Sequence, residues 1–240
     1  MKPKTFMASS AKAPPSPSVA RQVLRRIPIP TQPNPTRERV IRSFAGDLSL
    51  DGLRGIIRCM NTYDREQLKS LLREHSLKFG NFTLASGKTA SYYLDCRRIT
   101  LHPQGANVIA AGMLELITAM NPMPQAVGGM AIGADPITAA IITVAGQRNL
   151  PLLGFMVRKE PKDHGTGRQV EGPVEPGQEV VIVEDVITSG GSALAAAEAA
   201  QAFGLRVRGV IGIIDRLAGG EAAFAAKGIP LQTLLTVRDF

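Results

Sequence analysis

The chain is poor in cysteine and contains no long apolar run. Among its 240 residues only Cys59 and Cys96 are cysteines, and their spacing fits no metal-binding motif of the C-x-x-C type. So few cysteines argue against a disulfide scaffold and favour a reducing compartment, for which we expect the cytoplasm. No stretch approaches the roughly 18 apolar residues of a membrane-spanning helix. A signal-peptide apolar core is also missing, so neither membrane insertion nor secretion is predicted.

Acidic residues are scarce only in the first quarter of the chain. The net charge of +8 arises within residues 1–60, which carry eleven Lys or Arg against Glu38, Asp47 and Asp51. Residues 61–240 hold seventeen basic and seventeen acidic residues and are therefore neutral. This distribution does not support a generally basic nucleic-acid-binding domain.

Residues 1–59 are predicted to be a disordered or weakly ordered basic extension. Residues 1–37 contain eight of the 17 prolines and no acidic residue, a composition that cannot bury enough surface to fold. Three interpretations remain open. The extension is an organelle transit peptide, which would change the predicted compartment, or a basic tail with some partner, or a stretch upstream of a true start at Met60. A folded domain is predicted to span residues 60–240.

Apolar segments alternate with helical patterns from Asn61 onward. Nearly continuous apolar strands separated by helices are typical of a parallel sheet covered on both faces. Ligands bind to such sheets at the carboxyl ends of the strands. Two strands are predicted within residues 82–96, and one each over 126–133, 152–157, 179–185, 207–215 and 231–237. Helices are predicted from a cap at Thr62 and over 103–120, 135–148, 193–204 and 218–228, with a polar loop over 158–172.

The stretch VVIVEDVITSGGS, residues 180–192, joins a buried strand to a turn suited to anions. Glu184 and Asp185 would point to opposite faces of a strand, so one of them could be only a helix cap or a surface acid. Residues 188–192 lead into a helix, and their backbone N–H groups form a cradle for an anion. The Lys of a Walker A loop is absent. A ribose 5-phosphate fits both parts, with its phosphate in the cradle and its hydroxyls at the acids.

This run resembles the 5-phosphoribosyl 1-diphosphate (PRPP) signature of the type I phosphoribosyltransferases. The resemblance implies an α/β fold with a five-stranded parallel core, helices on both faces and a small hood over the active site. It also implies displacement of diphosphate at ribose C1, with Mg²⁺ carried in by PRPP and reaching Glu184 and Asp185 through water instead of direct protein ligands. The implied PRPP-binding residues are Glu184, Asp185, Val186, Ile187, Thr188, Ser189, Gly190, Gly191 and Ser192.

The polar segment RKEPKDHGTG resembles the catalytic loop of the orotate phosphoribosyltransferases. A solvated charged loop is the alternative, but expulsion of diphosphate needs mobile cations that close over the leaving group. By resemblance Lys162 and His164 contact diphosphate in the closed state, and Asp163 is a candidate for handling the proton. Arg158 and Lys159 are implied as further contacts. In that family the loop reaches the neighbouring subunit's site, so a homodimer is implied.

The segment FTLASGKTASYYLDCR resembles the orotate segment of the same family. Backbone groups of its Ala-Ser-Gly turn would meet the pyrimidine edge, while Tyr92 and Tyr93 would pack near the ring or else belong to an ordinary core. Within IDR, Arg216 resembles the family's partner of the orotate carboxylate. The implied orotate-binding residues are Ala85, Ser86, Gly87, Tyr92, Tyr93, Thr188 and Arg216.

Two positions depart from the enterobacterial-type members, which have Lys where this chain has Ala85 and Gly133. The missing cations could weaken PRPP binding. Alternatively Gly133, Ala134 and Asp135 form a diphosphate loop that binds through backbone amides and places Asp135 near the metal. We favour the second interpretation, because this turn leads onto a predicted helix N-terminus.

Together these segments predict that orotate and PRPP are converted to orotidine 5'-monophosphate and diphosphate, in pyrimidine (UMP) biosynthesis. Two alternatives stay open. One is a purine-type phosphoribosyltransferase; the other is a non-catalytic PRPP-sensing regulator that uses residues 1–60 as a nucleic-acid arm. The Lys/His loop argues against the regulator. The predicted partners are the two substrates and a second copy of the chain, without nucleic acid or membrane.

Overall fold

The computed structural model of the chain describes residues 62–83, 89–160 and 169–240. Several predictions concern other residues: the extension over 1–59 with its start at Met60, the turn at residues 85–87, and loop residues 162–164. These lie outside the described residues and stay predictions.

A parallel sheet forms the centre of the described part of the chain. The strands are β1 (Leu77–Thr83), β2 (Thr89–Leu94), β3 (Ala126–Met130), β4 (Leu153–Val157), β5 (Val170–Glu171), β6 (Glu179–Ile187), β7 (Arg206–Asp215) and β8 (Leu231–Thr236). Six of them build one sheet in the order β5-β4-β3-β6-β7-β8. Strands β4, β3, β6, β7 and β8 run parallel, which confirms the predicted five-stranded core.

Strand β5 corrects the prediction of a polar loop over residues 158–172. Val170 is buried and pairs with Val157 in antiparallel register. The Arg158 N–H donates to the Gln169 carbonyl, and the Gln169 side chain donates back to the Arg158 carbonyl, so the two chain segments are tied at the base of the loop. A strand of two residues has no alternating pattern that a sequence could reveal.

Helices cover both faces of the sheet, as predicted. They are α1 (Arg65–Leu71), α2 (Arg97–Thr100), α3 (Pro103–Thr118), α4 (Asp135–Gln147), α5 (Gly191–Ala202) and α6 (Gly220–Ala226), with a π-helical turn at Leu72–Ser76 and a 3₁₀ turn at Val237–Asp239. Asp64, instead of the predicted Thr62, caps α1, because its carboxylate accepts the Gln67 N–H at 2.9 Å. Within the described residues no helix is long and apolar enough to cross a membrane.

The side chains of β6 show how the two faces are filled. Val181 and Val183 belong to one buried cluster, together with α1, α3 and α4. Val180 and Ile182 belong to the other, together with α5 and α6. Because successive side chains of a strand point to opposite faces, this apolar run is buried from both sides.

The remaining strands, β1 and β2, form a separate two-stranded antiparallel sheet. This sheet corresponds to the predicted hood. Its Tyr92 contacts Arg216, which directly follows β7. The hood therefore reaches the edge of the main sheet at which the parallel strands end.

Candidate active site

The turn between β6 and α5 forms a polar cavity at the carboxyl edge of the sheet. The cavity has a volume of about 250 Å³ and is lined by Glu184 and residues 186–193. Eight of the nine predicted PRPP-binding residues thus lie around one space, Asp185 being the exception. The first N–H groups of α5 face the turn and, as in every helix, have no intrahelical acceptors. No described side chain caps them either. The cavity can therefore hold an anion such as a phosphate.

Gly190 gives the turn its shape. Its φ of +80° is left-handed, and a Cβ at this position would come within 2.9 Å of the Phe224 ring. Both the backbone conformation and the close approach of the ring require glycine here. Packing against α6 thus explains why the first residue of the Gly-Gly pair is glycine.

Glu184 is a buried acid with an unmet hydrogen-bonding capacity. The residue is 7% exposed, and its Oε2 accepts no hydrogen bond from the described residues. Burial, followed by the nearby negative charge of Asp185, raises the pKa of Glu184 to about 8. An acid held in this way favours a ligand that can donate hydrogen bonds or bring a cation.

Asp185 approaches the same edge from the other face of β6. Its Oδ1 accepts the Val186 N–H at 2.7 Å, while Glu184 Oε1 accepts the Asp185 N–H at 3.2 Å. A Cβ built on Gly133 would lie 3.5 Å from Glu184 Oε1 and 3.9 Å from Asp185 Oδ1. The two carboxylates therefore both lie beside the β3–α4 turn, where β6 continues beyond its last pairing with β3 at Ile182.

The β3–α4 turn holds the predicted diphosphate loop. Ala134 is buried, and Asp135 opens α4 immediately after it. Burial raises the pKa of the Asp135 carboxyl. Since the space beside Gly133 is open, a longer side chain at this position would begin next to Glu184 and Asp185. The structure thus brings the diphosphate loop and the acid pair together.

Arg216 and Tyr92 meet at the carboxyl end of β7. The guanidinium carbon of Arg216 lies 4.8 Å from the centroid of the Tyr92 ring, and its Nε donates to the Tyr92 hydroxyl at 3.0 Å. Tyr93 instead packs against Phe82, with 5.8 Å between the ring centroids. Adjacent residues of β2 point to opposite faces of the hood, so only Tyr92 faces Arg216.

Curated proteins and solved structures resemble about three quarters of the chain. An orotate phosphoribosyltransferase of Rhodopirellula baltica is 65% identical over 181 residues, covering 74% of this chain and 94% of that protein. One from Aquifex aeolicus is 43% identical over 179 residues, covering 73% and 97%. A scan against protein-family models finds no match.

The chain belongs to the orotate phosphoribosyltransferase family. Solved structures agree. The orotate phosphoribosyltransferase of Mycobacterium tuberculosis with Fe(III) dicitrate has a TM-score of 0.66 and 40% identity, covering 73% of this chain and 97% of that one. The same enzyme in complex with PRPP has a TM-score of 0.62 and 36% identity, again over 73% and 97%. The fold is therefore the type I phosphoribosyltransferase fold.

Of the predicted catalytic loop of this orotate phosphoribosyltransferase family member, the structure describes only the start. Arg158 follows β4 and pairs with Glu171 at 3.1 Å, with both side chains partly exposed. Lys159 is exposed. The Ala131 N–H donates to the Val157 carbonyl, so the loop leaves the sheet beside the β3–α4 turn. Arg158 thus directly follows Val157, which is bonded to the β3–α4 turn, while Lys162, Asp163 and His164 lie outside the described residues.

Sequence reasoning overlooked Asp215, the last residue of β7. It is 4% exposed, and its Oδ1 accepts the Leu217 N–H at 2.8 Å. The only signal in the sequence was its place before Arg216 in the IDR segment. A strand-end Asp followed by a turn is common enough that its burial could not be predicted.

Proposed function

We propose that this chain transfers the 5-phosphoribosyl group of PRPP to orotate, which yields orotidine 5'-monophosphate and diphosphate in pyrimidine biosynthesis. The observation that carries the proposal is the meeting of three groups at one sheet edge: the amide cradle, the acid pair and Arg216. The Arg216 N–H donates to the Ile187 carbonyl at 2.8 Å, and Ile187 directly precedes the cradle. A phosphate site and a carboxylate-binding cation are thus fixed relative to each other by the backbone.

The cradle and the acids account for the sugar phosphate. The N–H groups at the start of α5 bind the 5-phosphate, and Glu184 and Asp185 accept hydrogen bonds from the ribose hydroxyls. As the bond from C1 to diphosphate breaks, positive charge grows on the ribose, and the two carboxylates stabilise it. In the free protein Glu184 is protonated more readily than an ordinary carboxyl, because its pKa is raised. A bound ligand that is cationic or donates hydrogen bonds favours the ionised form instead.

The residues present fit a magnesium ion that arrives with PRPP. Glu184 has a buried oxygen without a donor, and Asp185 stands beside it, which gives the hard oxygen ligands that Mg²⁺ prefers. In the described residues no group of three or more His, Cys, Asp or Glu could hold a metal. We propose that the ion would come bound to the substrate's oxygens and would reach these acids through water. When bound, it neutralises charge on the diphosphate.

The base is recognised by the hood and the end of β7. Arg216 forms the ion pair with the orotate carboxylate, and the Tyr92 ring packs beside the pyrimidine. Tyr93 and the backbone of residues 85–87 are further predicted contacts, and Thr188, the first residue of the cradle, is predicted to contact the base as well. The pyrimidine nitrogen attacks C1 directly, so the reaction needs no covalent intermediate on the protein.

The leaving diphosphate is held by two loops. The turn of Gly133, Ala134 and Asp135 binds one side of it through the Gly133 N–H, because the N–H groups of Ala134 and Asp135 already donate to the Met130 and Ile132 carbonyls. Arg158, Lys159, Lys162 and His164 close over the other side, and Asp163 handles the proton. We propose that the chain is a homodimer in which this loop serves the neighbouring subunit's site. Sedimentation velocity tests the dimer: a monomer at assay concentrations contradicts it.

We place the protein in the cytoplasm, with an organelle as the alternative if residues 1–59 act as a transit peptide. The free, buried thiol of Cys96 supports a reducing compartment. Imaging of the tagged full-length chain beside a chain lacking residues 1–59 separates the two.

An activity assay with competing bases decides which base the protein uses. Purified chain is incubated with Mg²⁺, PRPP and orotate, and the loss of orotate absorbance is followed, with adenine, hypoxanthine and uracil as competing substrates. We expect orotate to be consumed and a Glu184→Gln, Asp185→Asn variant to be slower by about 10²–10³-fold. Consumption of a purine instead of orotate overturns the assignment.

A further inference from the structure

Asp215 is a buried acid that the proposed reaction does not use. It ends β7, lies opposite Ile187 of β6 and Thr236 of β8, and is 4% exposed. Its Oδ1 accepts the Leu217 N–H at 2.8 Å, two residues further along the chain. A carboxylate that accepts the N–H of residue i+2 replaces a backbone hydrogen bond and closes a tight turn. This turn encloses Arg216.

Leu217 has an unfavourable backbone conformation. Its φ is +54°, in the left-handed region that residues other than Gly, Asn and Asp seldom adopt. The residue is 40% exposed, so burial of its side chain does not account for the conformation. The hydrogen bond from its N–H to Asp215 fixes the Arg216–Leu217 peptide, and the left-handed φ of Leu217 turns the chain directly after Arg216.

Arg216 is consequently fixed on several sides. Its N–H is held by the Ile187 carbonyl at 2.8 Å, and the following residue is held by Asp215. Its side chain then reaches Tyr92 of the hood, with Nε 3.0 Å from the hydroxyl. Fixing the backbone of a long side chain reduces the entropy lost when its guanidinium pairs with a ligand.

We infer that Asp215 is a positioning residue whose turn through Leu217 directs Arg216 towards the base, and so sets the preference for a carboxylate-bearing pyrimidine. The inference rests on the proposed function, since it takes Arg216 as the partner of the orotate carboxylate. Asp215 itself touches no substrate. Its short side chain suits the task because it reaches the i+2 N–H, which Asn can also do and Ala cannot.

The experiment compares two nucleotides that differ only in the carboxylate. Binding of orotidine 5'-monophosphate and of uridine 5'-monophosphate is measured by calorimetry for the wild-type chain, Asp215→Ala and Asp215→Asn. In Asp215→Ala we expect affinity for orotidine 5'-monophosphate to fall about tenfold. Affinity for uridine 5'-monophosphate should change less than about twofold, because that ligand makes no use of Arg216. Asp215→Asn should keep most of the wild-type preference.

The outcomes separate the inference from the proposed function. A wild-type chain that binds both nucleotides equally overturns the orotate site itself. The positioning role is overturned if Asp215→Ala keeps the wild-type preference for orotidine 5'-monophosphate. It is also overturned if Asp215→Asn loses this preference as fully as Asp215→Ala does. Should Asp215→Ala fail to fold, Asp215→Ser fills part of the same site and leaves only a weaker acceptor for the Leu217 N–H, so the preference for orotidine 5'-monophosphate should fall part of the way. Retention of the wild-type preference by that variant also overturns the role.

Discussion

The Arg216 guanidinium lies against the Tyr92 ring, and its Nε donates to the Tyr92 hydroxyl at 3.0 Å. These residues are 124 positions apart in the chain. Arg216 directly follows strand β7 of the core sheet, and Tyr92 belongs to the hood. Their contact brings the hood over the end of β7, where a carboxylate-binding cation is needed. If Arg216 binds the orotate carboxylate as we propose, Tyr92 acts on the base site partly through Arg216.

Removing only the Tyr92 hydroxyl should weaken orotate binding and spare the PRPP site. Tyr92→Phe keeps the ring under the guanidinium but deletes the acceptor, so we expect KM for orotate to rise about three- to tenfold. KM for PRPP, measured in the same steady-state assay, should stay within about twofold. Tyr93→Phe is the matched neighbour, and its geometry predicts a smaller change. Equal effects at the two positions would show that the Arg216 contact is immaterial.

Gly190→Ala should damage both the cradle and the stability of the domain. The added Cβ must avoid the Phe224 ring, which stands 2.9 Å away, and the residue must keep a φ of +80°. We expect unfolding free energy to fall by about 1–3 kcal/mol and KM for PRPP to rise. Gly146→Ala in α4 is the control, because a Cβ there meets nothing within 4 Å. That variant should gain about 0.5–1 kcal/mol in urea denaturation. A Gly190→Ala chain as stable as the wild type contradicts the argument.

The strand pattern and the cradle could be predicted because both are local in sequence. The run before Glu184 alternates between the two buried clusters, and the Thr-Ser-Gly-Gly turn follows it without a gap. Hydrophobic continuity and turn chemistry are legible in such a segment. The resemblance assigned Arg216 and Tyr92 to the orotate site, and the structure brings these two side chains into contact.

What could not be predicted depends on partners distant in the chain or on choices between equivalent residues. Asp64 and Thr62 are both good helix caps, and only the observed bond to Gln67 decides between them. The pairing of Val170 with Val157 involves two residues, too few for a period. The orientation of Tyr92, but not Tyr93, towards Arg216 depends on the register of the hood strands.

Asp239 should anchor the C-terminal residues to α1. Its Oδ1 accepts from Arg65 at 2.7 Å, and its Oδ2 accepts the Thr236 N–H at 2.8 Å. Asp239→Ala removes a helix cap together with an ion pair, so we expect unfolding free energy to fall by about 1–2 kcal/mol. Lys227→Ala breaks an exposed pair with Glu198 and serves as the control, with an expected change below about 0.5 kcal/mol. Urea denaturation measures both. Equal losses would mean that Asp239 contributes no more than a surface charge.

Stability should fall as pH rises from about 5 to about 8, because of Glu184. Its pKa is raised from the ordinary value of 4.5 to about 8 by burial and by Asp185, so between these values the folded chain keeps a proton that the unfolded chain has released. The unfolded state therefore binds fewer protons, and the free energy of unfolding decreases with pH across this window. Glu184→Gln cannot ionise, so its free energy of unfolding should rise relative to that of the wild type between pH 5 and pH 8.5. We expect a difference of about a few kcal/mol, the order of magnitude that a pKa shift of this size produces.

Binding of substrate should release the proton of Glu184, because a substrate that stabilises the ionised carboxylate must displace that proton. We expect PRPP with Mg²⁺ to release protons on binding at pH 7, seen in calorimetry as a heat that depends on the ionisation enthalpy of the buffer. Glu184→Gln should lose most of that release, whereas Glu221→Gln, at an exposed position in α6, should keep it. Proton release that is unchanged in Glu184→Gln would place the titrating group elsewhere, and Asp135, whose pKa burial also raises, would be the next residue to substitute.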